Sequence, residues 1–169
     1  MMLRYSLAAL GAALLLSQPA SAAFVESFRD WSLYVHEEKA EKVCFISSVP
    51  SKEEGDYTRR DQPRVFVTKF PAPPPNVQVM VDPGYPYLAG SNVDLVIDGT
   101  SFQMFTRDSN AWANSPKEDA AIIEAMKAGR TMTARGTSQK NTYSLDTYSL
   151  LGFTAAFRAM QDTCKDGKS

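Results

Sequence analysis

Few side chains in this sequence could do chemistry, and their spacing narrows the choice further. Cys44 and Cys164 are its two cysteines and His36 is its one histidine. Thiols this far apart, without C-x-x-C spacing and with one imidazole in the chain, fit a structural disulfide better than a redox pair or a zinc site. His36 lies where Trp31, Leu33 and Val35 alternate with Ser32, Tyr34 and His36, a period-2 pattern that places the imidazole on the solvent side of a strand. No G-x-S-x-G elbow or comparable nucleophile motif accompanies it. Carboxylates cluster at Glu37/Glu38 and at Glu53/Glu54/Asp56, and glycoside hydrolysis needs two carboxyl groups. Both clusters sit in charge-rich stretches with nothing apolar nearby to separate an acid from a base. Asp94 and Asp98 lack the dense ligand spacing of a calcium loop. The residues therefore point to a protein without catalytic residues, metal or cofactor.

Binding candidates are more definite. Tyr57, Arg59 and Arg60, with Arg64 nearby, form the one basic and aromatic cluster, of a kind that recognises an anionic glycan or lipid headgroup. The favoured reading is nevertheless a solvated loop, because Glu53, Glu54, Asp56 and Asp61 bring the local charge close to neutral. Trp112 lies in the polar connection Asp108–Asn114. It is either a binding anchor or a plug over the end of the core, and the plug is favoured because large aromatics near helix starts commonly complete a core.

The elements that must position these residues are mostly strands. Trp31–Val35 and Val43–Val49 make a first hairpin that carries Cys44, followed by an exposed loop over Ser51–Pro63. Val65–Val67 mark a third strand, closed by the proline run Pro71-Ala72-Pro73-Pro74-Pro75, which reads as a stiff connector. Val77, Val79 and Val81 alternate up to the turn at Asp82-Pro83-Gly84. Val93, Leu95 and Ile97 run into Asp98-Gly99, a dipeptide suited to a type I′ hairpin, with Phe102 and Met104 on the return strand. Ser115-Pro116-Lys117-Glu118 matches a capping box for a helix to Ala128 that buries Ile122, Ile123 and Met126, with Gly129 as its stop. Thr131–Arg135 and Thr142–Tyr148 read as another pair of strands. Leu150, Phe153, Phe157, Met160 and Cys164 fall on one stripe of a final helix, which turns Cys164 inward toward the sheet. About eight short strands and two short helices predict a mainly β, antiparallel sandwich.

The first 22 residues set the compartment. Arg4, the apolar stretch Leu7–Leu16 and the small residues Ala20-Ser21-Ala22 read as a signal peptide, so the mature chain is expected to begin at Ala23 as a single domain over 23–169. No Cys follows the cleavage site that could carry a lipid. In an oxidising compartment Cys44 and Cys164 should be joined, and closing a loop of that length contributes on the order of 4 to 5 kcal/mol in the chain-entropy model. The formal net charge is −1, and losing Arg4 makes it one unit more negative, which argues against nucleic acid as a partner.

Several segments in order, Phe28-Arg29-Asp30-Trp31, Val43-Cys44-Phe45, Gly84-Tyr85-Pro86, Ile97-Asp98-Gly99 and Asp146–Ala156, resemble the invasion-associated locus B family of proteobacterial exported proteins. The similarity spans nearly the whole mature chain. It implies an immunoglobulin-like β-sandwich in the periplasm or at the cell surface, and for some pathogenic members an association with host-cell invasion. It brings no catalytic residues to positions in this sequence. The function expected is that of a non-catalytic binding protein whose partner is a protein or an envelope or host-surface component. A hydrolase acting on envelope or host polymers and a structural periplasmic protein are the alternatives.

Overall fold

The computed structural model describes residues 22–38, 41–71 and 76–165. The signal-like segment, apart from Ala22, and most of the proline run lie outside the described residues. The strands are β1 (Ala23–Phe28), β2 (Trp31–Glu38), β3 (Glu41–Ser48), β4 (Lys52–Gly55), β5 (Arg64–Phe70), β6 (Asn76–Asp82), β7 (Asn92–Ile97), β8 (Thr100–Arg107), β9 (Asn110–Trp112), β10 (Thr131–Thr137) and β11 (Tyr143–Ser149). The helices are α1 (Pro116–Ala128) and α2 (Phe153–Thr163).

Period-2 alternation becomes burial wherever it was strong. Val79 and Val81 of β6, Val93, Leu95 and Ile97 of β7, and Trp31 and Leu33 of β2 all enter one core cluster. Asp98 and Gly99 both take positive φ, as the type I′ turn between β7 and β8 requires. The Asp98 carboxylate also accepts from the Arg130 and Thr131 amides, tying that hairpin to the start of β10.

The strands pair antiparallel in the order β1-β2-β3-β5-β6-β9-β8-β7-β10-β11-β4, so the two layers of the sandwich belong to one continuous sheet. β9 makes the junction, with Ala111 and Trp112 opposite Val81 and Met80. The sheet folds across itself. Trp31 Nε1 on β2 donates to the Ser149 carbonyl on β11 at 3.1 Å, and the Ser51 amide donates to the Thr147 carbonyl at 2.8 Å. Inward side chains of both flanks thus share a single core.

Among the described residues, eleven strands stand where about eight were expected. β4 lies inside the segment read as an exposed loop, where Lys52-Glu53-Glu54-Gly55 is a strand because β11 offers it an edge. β9 occupies the connection around Trp112, and β1, largely exposed, is held by β2.

Both helices seal the fold. Ser115 caps α1 by accepting from the Glu118 amide at 3.2 Å, but Glu118 reaches past the cap to the Asn114 amide at 2.9 Å, so the expected box is displaced by one residue. Its inward face adds a carboxylate to the expected apolar residues. Asp119 Oδ1 accepts from the Val79 amide of β6 at 2.8 Å, satisfying a buried donor that no strand reaches. In α2, Phe153 and Met160 are buried as expected, and Phe153 meets Trp31 edge to face at 4.9 Å. Phe157 is only half-buried, with Lys127 over its ring at 4.5 Å. Gly152, at φ 91°, lets the chain turn from β11 into α2 where any Cβ would collide with the Phe28 carbonyl. Cys44 of β3 and Cys164 at the end of α2 form a disulfide across 120 residues, as expected.

Candidate functional site

Three connections meet at one end of the fold. Asp56–Arg59 follows β4, Tyr85 and Pro86 follow β6, and Ser138–Thr142 joins β10 to β11. Together with Tyr143 they enclose a cleft of about 310 Å³. Backbone hydrogen bonds lock its walls together: Asp56 N–H to the Tyr143 carbonyl at 3.0 Å, Gln139 N–H to the Pro86 carbonyl at 2.9 Å, and Asp61 N–H to the Gly84 carbonyl at 3.0 Å. Gly84 is needed for the last contact, because a Cβ there would strike the Asp61 carbonyl.

Three tyrosines line the cleft, each in contact with a neighbouring side chain. Tyr57 lies under the Arg60 guanidinium at 4.3 Å, Tyr143 under the Arg135 guanidinium at 5.1 Å, and the Tyr85 hydroxyl shares a 2.7 Å hydrogen bond with Ser144. Burial pushes the Tyr85 phenol above its ordinary pKa, so it stays neutral and available as a donor. Arg59 and Lys140 are exposed cations on the lining, and Asp56 is also on it.

The cluster predicted from sequence is divided by the structure. Tyr57 and Arg59 line the cleft, whereas Arg60 turns inward, its side chain 2% exposed. Its guanidinium forks onto Asp146 of β11, with Nη1 donating to Oδ2 at 2.8 Å and Nη2 to Oδ1, and Nη2 also reaches Glu53 at 2.9 Å. Burial works to lower the Arg60 pKa, but the hydrogen bonds to Asp146, the charge of that carboxylate and the hydrogen bond to Glu53 together outweigh it and hold the cation more firmly than usual. For Asp146 burial dominates and pushes the carboxyl up, against the pull of Arg60. Arg60 is thus a support for the Tyr57 ring, and the expectation that it meets a partner directly is corrected: an inward acid on β11 claims it.

Trp112 belongs to another surface. Half-buried on the outward side of β9, it packs against Phe105 of β8 at 5.7 Å, with Gln78 and Arg107 alongside. It does not plug the core; Ala111 and Ala113 take the inward positions on either side. It ends an outward aromatic row in which Phe24 meets Tyr34 at 5.8 Å, Tyr34 stacks on Phe45 at 5.1 Å, and Phe45 approaches Phe66 at 5.9 Å, with Met80 bridging by strand pairing from Phe66 to Trp112. His36 is on β2 opposite Val43 and does not line the cleft.

The sequence reading missed Tyr85, Lys140 and Tyr143. Tyr85 was visible within Gly84-Tyr85-Pro86, but nothing local tied it to residues beyond position 137. Among the described residues no group of three or more His, Cys, Asp or Glu is placed to hold a metal, and no helix is long and apolar enough to cross a membrane.

The model of the invasion associated locus B (IalB) protein family matches residues 31–161. This chain belongs to the IalB family. The match runs from β2 into α2 and so takes in every wall of the cleft. An IalB-family fold is seen again in the crystal structure of invasion associated protein B from Bartonella henselae, which is similar with a TM-score of 0.61 at 18% identity, over 83% of this chain and 96% of that one. At that identity the likeness is one of fold. No curated protein matches this IalB-family chain.

Proposed function

We propose that this IalB-family chain is an exported, non-catalytic binding protein of the bacterial envelope, and that the tyrosine cleft engages an envelope or host-surface component. The observation that carries the reading is the cleft itself: three rings each held by a neighbouring side chain and two exposed cations, on walls tied by backbone hydrogen bonds. Such preorganisation lowers the ordering cost of binding. Export is supported by the signal-like first 22 residues and by the disulfide, which suits an oxidising compartment.

A hydrolase would want different equipment. Asp56 is the one carboxylate on the cleft lining, where glycoside hydrolysis uses two, and the histidine is elsewhere.

The test is binding of the purified, disulfide-bonded protein to outer-membrane vesicles and to host-cell surfaces. Tyr57→Ala combined with Arg59→Gln should weaken saturable binding by tenfold or so, equivalent to about 1.4 kcal/mol. Undiminished binding by that variant, or turnover of a glycan, ester or peptide by the wild type, would overturn the reading.

A further inference from the structure

We infer that the cleft is a saccharide site selective for a carboxylate-bearing sugar, a uronic-acid type of ligand; this rests on the binding role proposed above and specifies its chemistry. The argument begins with what the cleft has already used. The amides of Asp56, Ser138, Gln139 and Asn141 all donate to carbonyls of the protein, so they are not free to pair with an incoming peptide strand. What remains on the lining is side-chain chemistry: the Thr58 hydroxyl, the Gln139 amide, the Lys140 ammonium and the Arg59 guanidinium, while the Thr142 hydroxyl already pairs with Ser138 at 2.8 Å. These groups, interleaved with tyrosine rings, match a ligand that alternates hydroxyls with apolar ring faces. They do not match a lipid chain, which would need a wall without polar atoms.

Size and charge narrow the class. A cleft of about 310 Å³ stands at the small end of ligand sites and suits a short saccharide. Arg59 and Lys140 outnumber Asp56 on the lining; of the two cations stacked on lining tyrosines, Arg60 is already neutralised by Asp146 and Glu53, and Arg135 lies over the Tyr143 ring. The balance left facing the ligand is positive. A sugar carboxylate meets it with charge-assisted hydrogen bonds, to the fork of Arg59 or the ammonium of Lys140. A neutral sugar leaves that charge unused.

Digalacturonic acid and its dimethyl ester separate these cases, since they share rings and hydroxyls and differ in charge. Calorimetric titration of the disulfide-bonded protein should show the acid binding about tenfold more tightly than the ester. Arg59→Gln with Lys140→Gln should erase that preference by bringing the affinity for the acid down to that for the ester, and Tyr57→Ala should weaken both ligands without changing their ratio. Thermal melts of each variant guard against misfolding, because Arg59 and Lys140 are exposed and their loss should leave the midpoint unchanged. Equal affinity for acid and ester, a preference that survives the double substitution, or no saturable binding of either compound up to on the order of 10 mM would each overturn the inference. If Tyr57→Ala with Arg59→Gln still weakens vesicle or cell binding about tenfold in those cases, the binding role stands and the ligand class alone falls.

Discussion

Arg60 and Asp146 lie 86 residues apart and meet as a forked ion pair, each side chain 2% exposed, behind the Tyr57 ring that lines the cleft. The pair joins the β4–β5 connection to β11. Position of the cleft wall is therefore coupled to the interior of the sheet.

Removing one partner should be costly. Asp146→Ala leaves a buried guanidinium without its main counter-charge and is expected to cost about 3 to 5 kcal/mol, read as a shift in the denaturation midpoint. Arg60→Met added to Asp146→Leu should recover much of the loss, because the double change removes both charges. Failure to recover would mean that the pair is not the source of the effect.

The disulfide should be measurable in two ways. Peptide mapping without reductant is expected to find Cys44 linked to Cys164, and replacing both with Ser should cost ~2–5 kcal/mol. Two alkylatable thiols in protein from the oxidising compartment would contradict the pairing.

Phe153 and Phe157 separate a core contact from a surface one. Phe153→Ala should cost about 3 to 5 kcal/mol because the ring is fully buried against Trp31. Phe157→Ala should cost about 1 to 2 kcal/mol, since its ring is half-exposed beneath Lys127. Equal losses would place both rings in the core.

Asp119 gives a pH dependence with a definite sign. Burial pushes its carboxyl above the ordinary range, Glu118 adds to the rise and the Val79 amide opposes it. The folded state therefore holds this proton more tightly than the unfolded state, whose value is about 3.9. That contribution to stability is complete below the unfolded value and is lost as pH rises through the folded one. Asp119→Asn keeps an acceptor for the Val79 amide and removes the titration. Between about pH 4 and neutrality, wild-type stability should fall relative to Asp119→Asn; parallel profiles would refute the assignment.

The strands legible in the sequence are those whose burial alternates, as at Val77, Val79 and Val81, because one buried face imposes the period on the residues. β4 escaped notice because a run of Lys52, Glu53 and Glu54 has no apolar face; it is a strand only through its pairing with β11. β9 spans three residues and exists because β6 and β8 flank it. The same limit applies to the site. Tyr57, Arg59 and Arg60 stood out by composition, yet Asp146 decides that Arg60 turns in and Arg59 stays out. Inward alternation of Ser144, Asp146 and Tyr148 was a signal that a buried acid would need a cation. Its partner could not be named without the fold. Trp112 was misread because its connection was taken for a loop, whereas a strand there sends Ala111 inward and the indole outward.

Amide hydrogen exchange on the protein bound to the surface that captures it tests the central claim most directly. The cleft account predicts slower exchange on binding at residues 56–59 and 138–143, with residues 105–112 unchanged. Protection confined to the Phe105–Trp112 surface, with the cleft segments exchanging as in the free protein, would contradict it.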